Sequence, residues 1–61
     1  MTRIKMLDDY VITVKEPIDK IVEEIQKNSS IFLELTRLLN REEIPTVVNI
    51  DNILTMNTKK R

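Results

Sequence analysis

The chain has no cysteine, no histidine, no glycine and no tryptophan, and its only aromatic residues are Tyr10 and Phe32. Without cysteine there is neither a disulfide nor a thiolate metal site. Without histidine the commonest metal ligand and the commonest general base are both missing. Without glycine every tight turn must be made by Asn or Asp, which tolerate the left-handed region better than other residues. With so few aromatic rings, the core has to be built from Ile, Leu, Val and Met. Charge of one sign is also lacking. Ten Lys and Arg balance ten Asp and Glu, which argues against a dedicated DNA binder, because that affinity rests on excess positive charge. No apolar run approaches the ~20 residues of a membrane span, and no charged start followed by an apolar stretch suggests a signal peptide. A soluble cytoplasmic protein is expected.

The 61 residues are enough for one domain, expected over residues 1–57 with a frayed tail over 58–61. A chain this short buries only about 60% of the surface its unfolded form exposes. Domains of this size usually lean on a disulfide, a metal or self-association. Only self-association is left here, so a homo-oligomer is expected.

The apolar pattern divides the chain. Residues 2–15 alternate with period two, Ile4 and Met6 in one run and Tyr10, Ile12 and Val14 in the next. This predicts a β-hairpin turning at Asp8–Asp9. Residues 17–28 predict a helix: Pro17 suits its first position, Asp19 favours the positive end of its dipole, and Ile18, Ile21, Val22 and Ile25 form one stripe. Lys20 with Glu24 and Glu23 with Lys27 are spaced as i,i+4 pairs. Asn28, Ser29 and Ser30 end the helix. Residues 31–39 fit a helix and a strand equally, and local pattern does not choose between them. Asn40 to Pro45 reads as a polar loop. Thr46 to Met56 reads as strand, with Val48, Ile50, Leu54 and Met56 on one face and a possible break at Asp51–Asn52. The fold class expected is α+β, a small antiparallel sheet of about four strands in ββαββ order on one amphipathic helix.

Few residues suggest chemistry. Asp8–Asp9 could hold a hard cation, but turn formation already explains them. Glu42–Glu43 beside Arg41 could form a carboxylate pair, though a solvated loop is the simpler reading. Ser29 and Ser30 have no base to activate them and read as caps. Arg37 and Arg41 could hold a phosphate or a partner's carboxylate, or be tied up in surface ion pairs. Lys59, Lys60 and Arg61 read as a solvated end. No catalytic, cofactor-binding or metal site is expected.

Two sets of motifs resemble known families. Leu35-Thr36-Arg37-Leu38, Val48-Asn49-Ile50-Asp51-Asn52-Ile53, and Val14-Lys15-Glu16 leading into the helix are together similar to the FlbD-type family of small flagellar and swarming-motility proteins. The two halves stand in reversed order, the loop glycines are missing, and Pro17 replaces the capping serine. This resemblance implies a strand over 31–38 and says more about fold than activity. A strand, Pro17 at a helix start and Ser29–Ser30 opening a second helix through Leu39 resemble ribbon-helix-helix repressors instead. That implies a DNA-binding regulator reading the major groove through Arg3, Lys5, Thr13 and Lys15. Its zero net charge and extra strands fit that family poorly. The expected function is a non-enzymatic interaction or regulatory protein of bacterial or phage origin. It would bind itself by strand pairing between subunits, through Val48, Ile50, Leu54 and Met56, and bind a further protein.

Overall fold

The computed structural model describes residues 1–27 and 30–59. The chain runs β1 (Thr2–Met6), β2 (Val11–Val14), α1 (Ile18–Lys27), β3 (Phe32–Leu39), β4 (Glu42–Asn49), a three-residue 3-10 turn (Ile50–Asn52) and β5 (Ile53–Thr58). All pairings are antiparallel, in the order β4-β3-β2-β1-β5. The α+β class holds, with five strands where about four were expected.

The expected loop from Asn40 to Pro45 is mostly strand. β3 and β4 pair along their full length, from Phe32↔Asn49 to Leu39↔Glu42, and this long-range ladder settles residues 32–39 as strand. Only Asn40 and Arg41 turn, with φ of 50° and 65°, the paired left-handed geometry of a two-residue hairpin loop. Arg41 adopts it at a cost of about 1–2 kcal/mol that glycine would avoid. Pro45 is compatible with β4 because β4 is an edge strand. Its partner Thr36 turns its backbone groups towards β2, accepting from the Lys15 N–H at 2.8 Å. The nitrogen of Pro45 therefore faces the open edge, where a missing N–H breaks no ladder bond.

The first hairpin also turns differently from the two-residue loop expected. Leu7, Asp8 and Asp9 form a three-residue loop closed by Asp9 N–H to Met6 O at 3.0 Å and Met6 N–H to Tyr10 O at 2.8 Å. Only Asp9 needs a positive φ, 68°, and the Asp8 carboxylate accepts from the Tyr10 N–H at 3.1 Å. One left-handed residue is easier to supply than two in a chain without glycine. At the helix start, Pro17 stands one position earlier than expected, its carbonyl accepting from the N–H groups of Lys20 and Ile21. The Glu23–Lys27 pair forms at 2.6 Å, while Lys20 and Glu24 make no ion pair among the described residues. Asn28 and Ser29, read as helix-ending residues, and Lys60 and Arg61 of the tail lie outside the described residues. Thr58 and Lys59 are not frayed: Thr58 pairs with Thr2, and the Lys59 N–H reaches Met1 O at 3.0 Å.

The two outer strands, β4 and β5, are joined by the 3-10 turn alone. On a flat sheet the end of β4 and the start of β5 would lie roughly 35 Å apart, counting strand rise and strand spacing. The link from Asn49 to Ile53 can span about 14 Å at most. The sheet must therefore coil strongly, bringing its two edges together at one corner. Ile50 N–H to Ile31 O and Leu7 N–H to Asn52 O, both 2.7 Å, fasten that corner. The concave side holds the core of Ile4, Ile12, Val14, Leu33, Leu35 and Val48, covered by Ile21 of α1. Burying Ile21 contributes about 1.5–3 kcal/mol. β5 also carries an extra residue, Leu54, between the partners of Lys5 and Met6, and this bulge interrupts the alternation expected there. Val48 is buried and Ile50 and Met56 pack against the core, but Leu54 is exposed and Ile53 turns inward in its place.

β2 stops at Val14, so β3 extends past it without a strand neighbour. Glu16 fills the gap. Its two carboxylate oxygens accept from the Thr36 N–H at 2.9 and 3.0 Å, and its carbonyl accepts from the buried Thr2 hydroxyl at 2.7 Å. Burial opposes ionisation of Glu16, but the hydrogen bonds from the Thr36 and Glu16 backbone and the Thr36 hydroxyl, aided by Lys15, outweigh it. They hold its carboxyl below the usual range. The unfolded chain therefore takes up this proton first. The stability Glu16 contributes is complete above its unfolded pKa of about 4.3 and is lost as pH falls through and below that value. Thermal melts from pH 7 to pH 3 should show Glu16→Gln less stable than wild type at neutral pH, with the gap closing in acid. A gap that stays constant across this range would deny Glu16 that role.

Candidate interaction surfaces

Alternation along the strands sends every second side chain to the convex face, away from α1. Arg3 and Lys5 stand there on β1, opposite Thr13 and Val11 of β2 and opposite Asn57 and Thr55 of β5. Lys15 follows just beyond β2. The four residues named as DNA readers thus share one face. Two of the three cations are already engaged: Lys5 with Asp9 at 3.5 Å and Lys15 with Glu43 at 3.2 Å. Arg3 makes no ion pair among the described residues. The second helix that a ribbon-helix-helix arrangement requires over 30–39 is replaced by β3, so the fold that resemblance implied is not the fold of this chain.

On the same convex face, β3 and β4 carry apolar residues. Phe32 is 53% exposed and Val47 65% exposed, and the pairings Phe32↔Asn49 and Glu34↔Val47 make them diagonal neighbours. Half-buried Leu38 and exposed Pro45 continue this strip. Beside it runs the free edge of β4, where Glu43 and Val47 turn their backbone groups outward in register with Pro45. Of the four residues expected to mediate self-association, Val48, Ile50 and Met56 serve the chain's own core and only Leu54 is exposed. The signal for Phe32 and Val47 was present in the sequence, but only the β3–β4 register shows that they adjoin.

Arg37 stands at an inward-facing position, opposite Val14, and is half-buried. It makes no ion pair among the described residues. Its guanidinium lies 5.6 Å from the centre of the Tyr10 ring and donates to the Tyr10 hydroxyl at 3.2 Å. The surface ion pair that would have been the ordinary outcome for Arg37 is not formed. Ser30 accepts from the Phe32 N–H at 3.1 Å. Glu42 and Glu43 occupy opposite faces of β4, as neighbours on one strand must, so they do not form a carboxylate pair. Among the described residues no group of His, Cys, Asp and Glu is placed to hold a metal ion, and no helix is long and apolar enough to cross a membrane.

With two of its surface cations neutralised within the chain, the convex face should bind duplex DNA weakly and without sequence preference, and binding should disappear at moderate salt. Fluorescence anisotropy with duplex fragments measures this. Tight, sequence-dependent binding at physiological salt would favour a DNA-binding regulator. No protein-family model, no curated protein and no solved structure matches the chain significantly, so the purpose of these surfaces has to be argued from their geometry.

Proposed function

We propose that this chain is a non-enzymatic interaction module of bacterial or phage origin that acts in the cytoplasm as a homo-oligomer and binds a further protein. The observation that carries the reading is the exposure of Phe32 and Val47 side by side, next to a free strand edge. Large apolar side chains grouped on a surface favour burial against a partner, and a strand edge offers unpaired backbone groups for the same purpose. The small core adds to this, since a domain of this size gains stability from association.

In this reading the last strand is not exchanged between subunits. β5 lies on β1 of its own chain, so self-association would use the β3–β4 side instead. Pro45 interrupts the β4 edge, which limits strand pairing there and leaves most of the contact to the convex side chains. FlbD-type proteins, which the chain resembles in its motifs, offer a setting for such a module rather than an activity.

Light scattering after gel filtration should show a mass above that of the 7.2 kDa chain, and the melting temperature should rise with protein concentration. Val47→Glu should shift the chain towards monomer while keeping its circular dichroism spectrum. A monomer at every concentration, with a concentration-independent melt, would refute self-association.

A further inference from the structure

We propose that Arg37 and Tyr10 form a receptor for a single carboxylate group presented by a protein partner. This names the chemistry of the partner in the reading above, at a site separate from the Phe32–Val47 surface. Arg37 occupies a position where the alternation of β3 calls for an apolar residue, between buried Leu35 and exposed Leu39. An arginine there normally brings a carboxylate with it, because a half-buried charge is costly to leave unpaired. Here Glu42, diagonal to Arg37 on β4, forms no ion pair with it. What Arg37 has instead is Tyr10, whose ring lies near the guanidinium and whose hydroxyl accepts a hydrogen bond from it. The ring and its hydroxyl together hold the guanidinium in place. The remaining N–H groups form the planar fork that receives a carboxylate through two parallel hydrogen bonds.

The surroundings favour a carboxylate over a polyanion. Leu39 shares the inward face of β3 with Arg37 and is 43% exposed, and Tyr10 and Leu7 are 55% and 58% exposed. Met6, Leu7, Asp8, Tyr10 and Asn52 line an open groove beside Tyr10, which offers room for an apolar side chain of the partner. Asp8 lies in the loop before Tyr10, and Arg41 and Glu42 adjoin at the turn after Leu39, so with Arg37 the local charges are two of each sign. Such a field admits one carboxylate and gives no attraction for a nucleic acid backbone.

The test follows the Arg37 side-chain Nε–H resonance of the 15N-labelled full chain during titration with short capped peptides. One carries Leu-Glu with an amidated end, a second ends in Leu-Leu with a free carboxylate, and a control carries Leu-Gln with an amidated end. Inorganic phosphate and a DNA duplex are titrated in parallel. A saturable shift with either carboxylate peptide and none with the control is expected, and which peptide acts tells a side-chain carboxylate from a chain terminus. Arg37→Met, which keeps the apolar stem, should weaken the accompanying backbone shifts by about tenfold or more, and Arg37→Lys, which keeps the charge but loses the fork, by several-fold. No shift, an equal shift with the control, tighter binding of phosphate or DNA, or unchanged binding in both variants would each overturn the proposal. Because Val47→Glu lies on the opposite face, its effect on assembly leaves this titration independent of the self-association reading.

Discussion

The shape of this protein depends on a short connection between strands that lie at opposite edges of one sheet. Ile50 to Asn52 form the whole link between β4 and β5, far too little chain to cross a flat five-stranded sheet. Strands twist naturally, and here the covalent link forces that tendency into a tight coil. The coil creates a concave side small enough for one ten-residue helix to cover, so Ile21 alone, with Ile25 beside it, completes the core. Among the described residues no element covers the convex side, which is why Phe32 and Val47 remain in solvent.

The same economy appears at Glu16. β2 is only four residues long, because the chain must leave the sheet at Pro17 to form α1. β3 then presents a backbone N–H with no strand beside it, and the Glu16 carboxylate accepts it in place of a peptide carbonyl. One residue thus joins the end of β1, through the Thr2 hydroxyl, to the middle of β3. Among the described residues no buried side-chain polar atom lacks a hydrogen-bond partner, so in a chain with few core residues the polar groups carry part of the specification.

Much of this arrangement was legible in the sequence. The period-two runs placed the first hairpin, and the stripe of Ile18, Ile21, Val22 and Ile25 placed the helix within a residue at either end. What pattern missed depended on distant pairing. Residues 31–39 satisfied both periods until β4 paired with them, and Pro45 read as a loop residue because sequence does not show which strand lies at an edge. Leu54 was placed on the core face because the pattern does not reveal the bulge that sets it between the partners of Lys5 and Met6. The candidate surfaces were less legible still. Arg37 drew notice as a cation, but its inward position and its contact with Tyr10, 27 residues away, come only from the sheet order.

One chain closes its own sheet, with β5 on the β1 of the same molecule. Ile4 and Met56 sit directly opposite each other across that junction, in the kind of pair whose α-protons approach closely. An isotope-filtered NMR experiment on an equal mixture of labelled and unlabelled protein distinguishes contacts within a chain from contacts between chains. The Ile4–Met56 α-proton contact should appear within the labelled chain and be absent from the interchain spectrum. Its appearance in the interchain spectrum, or its absence from both, would contradict a sheet closed by its own last strand.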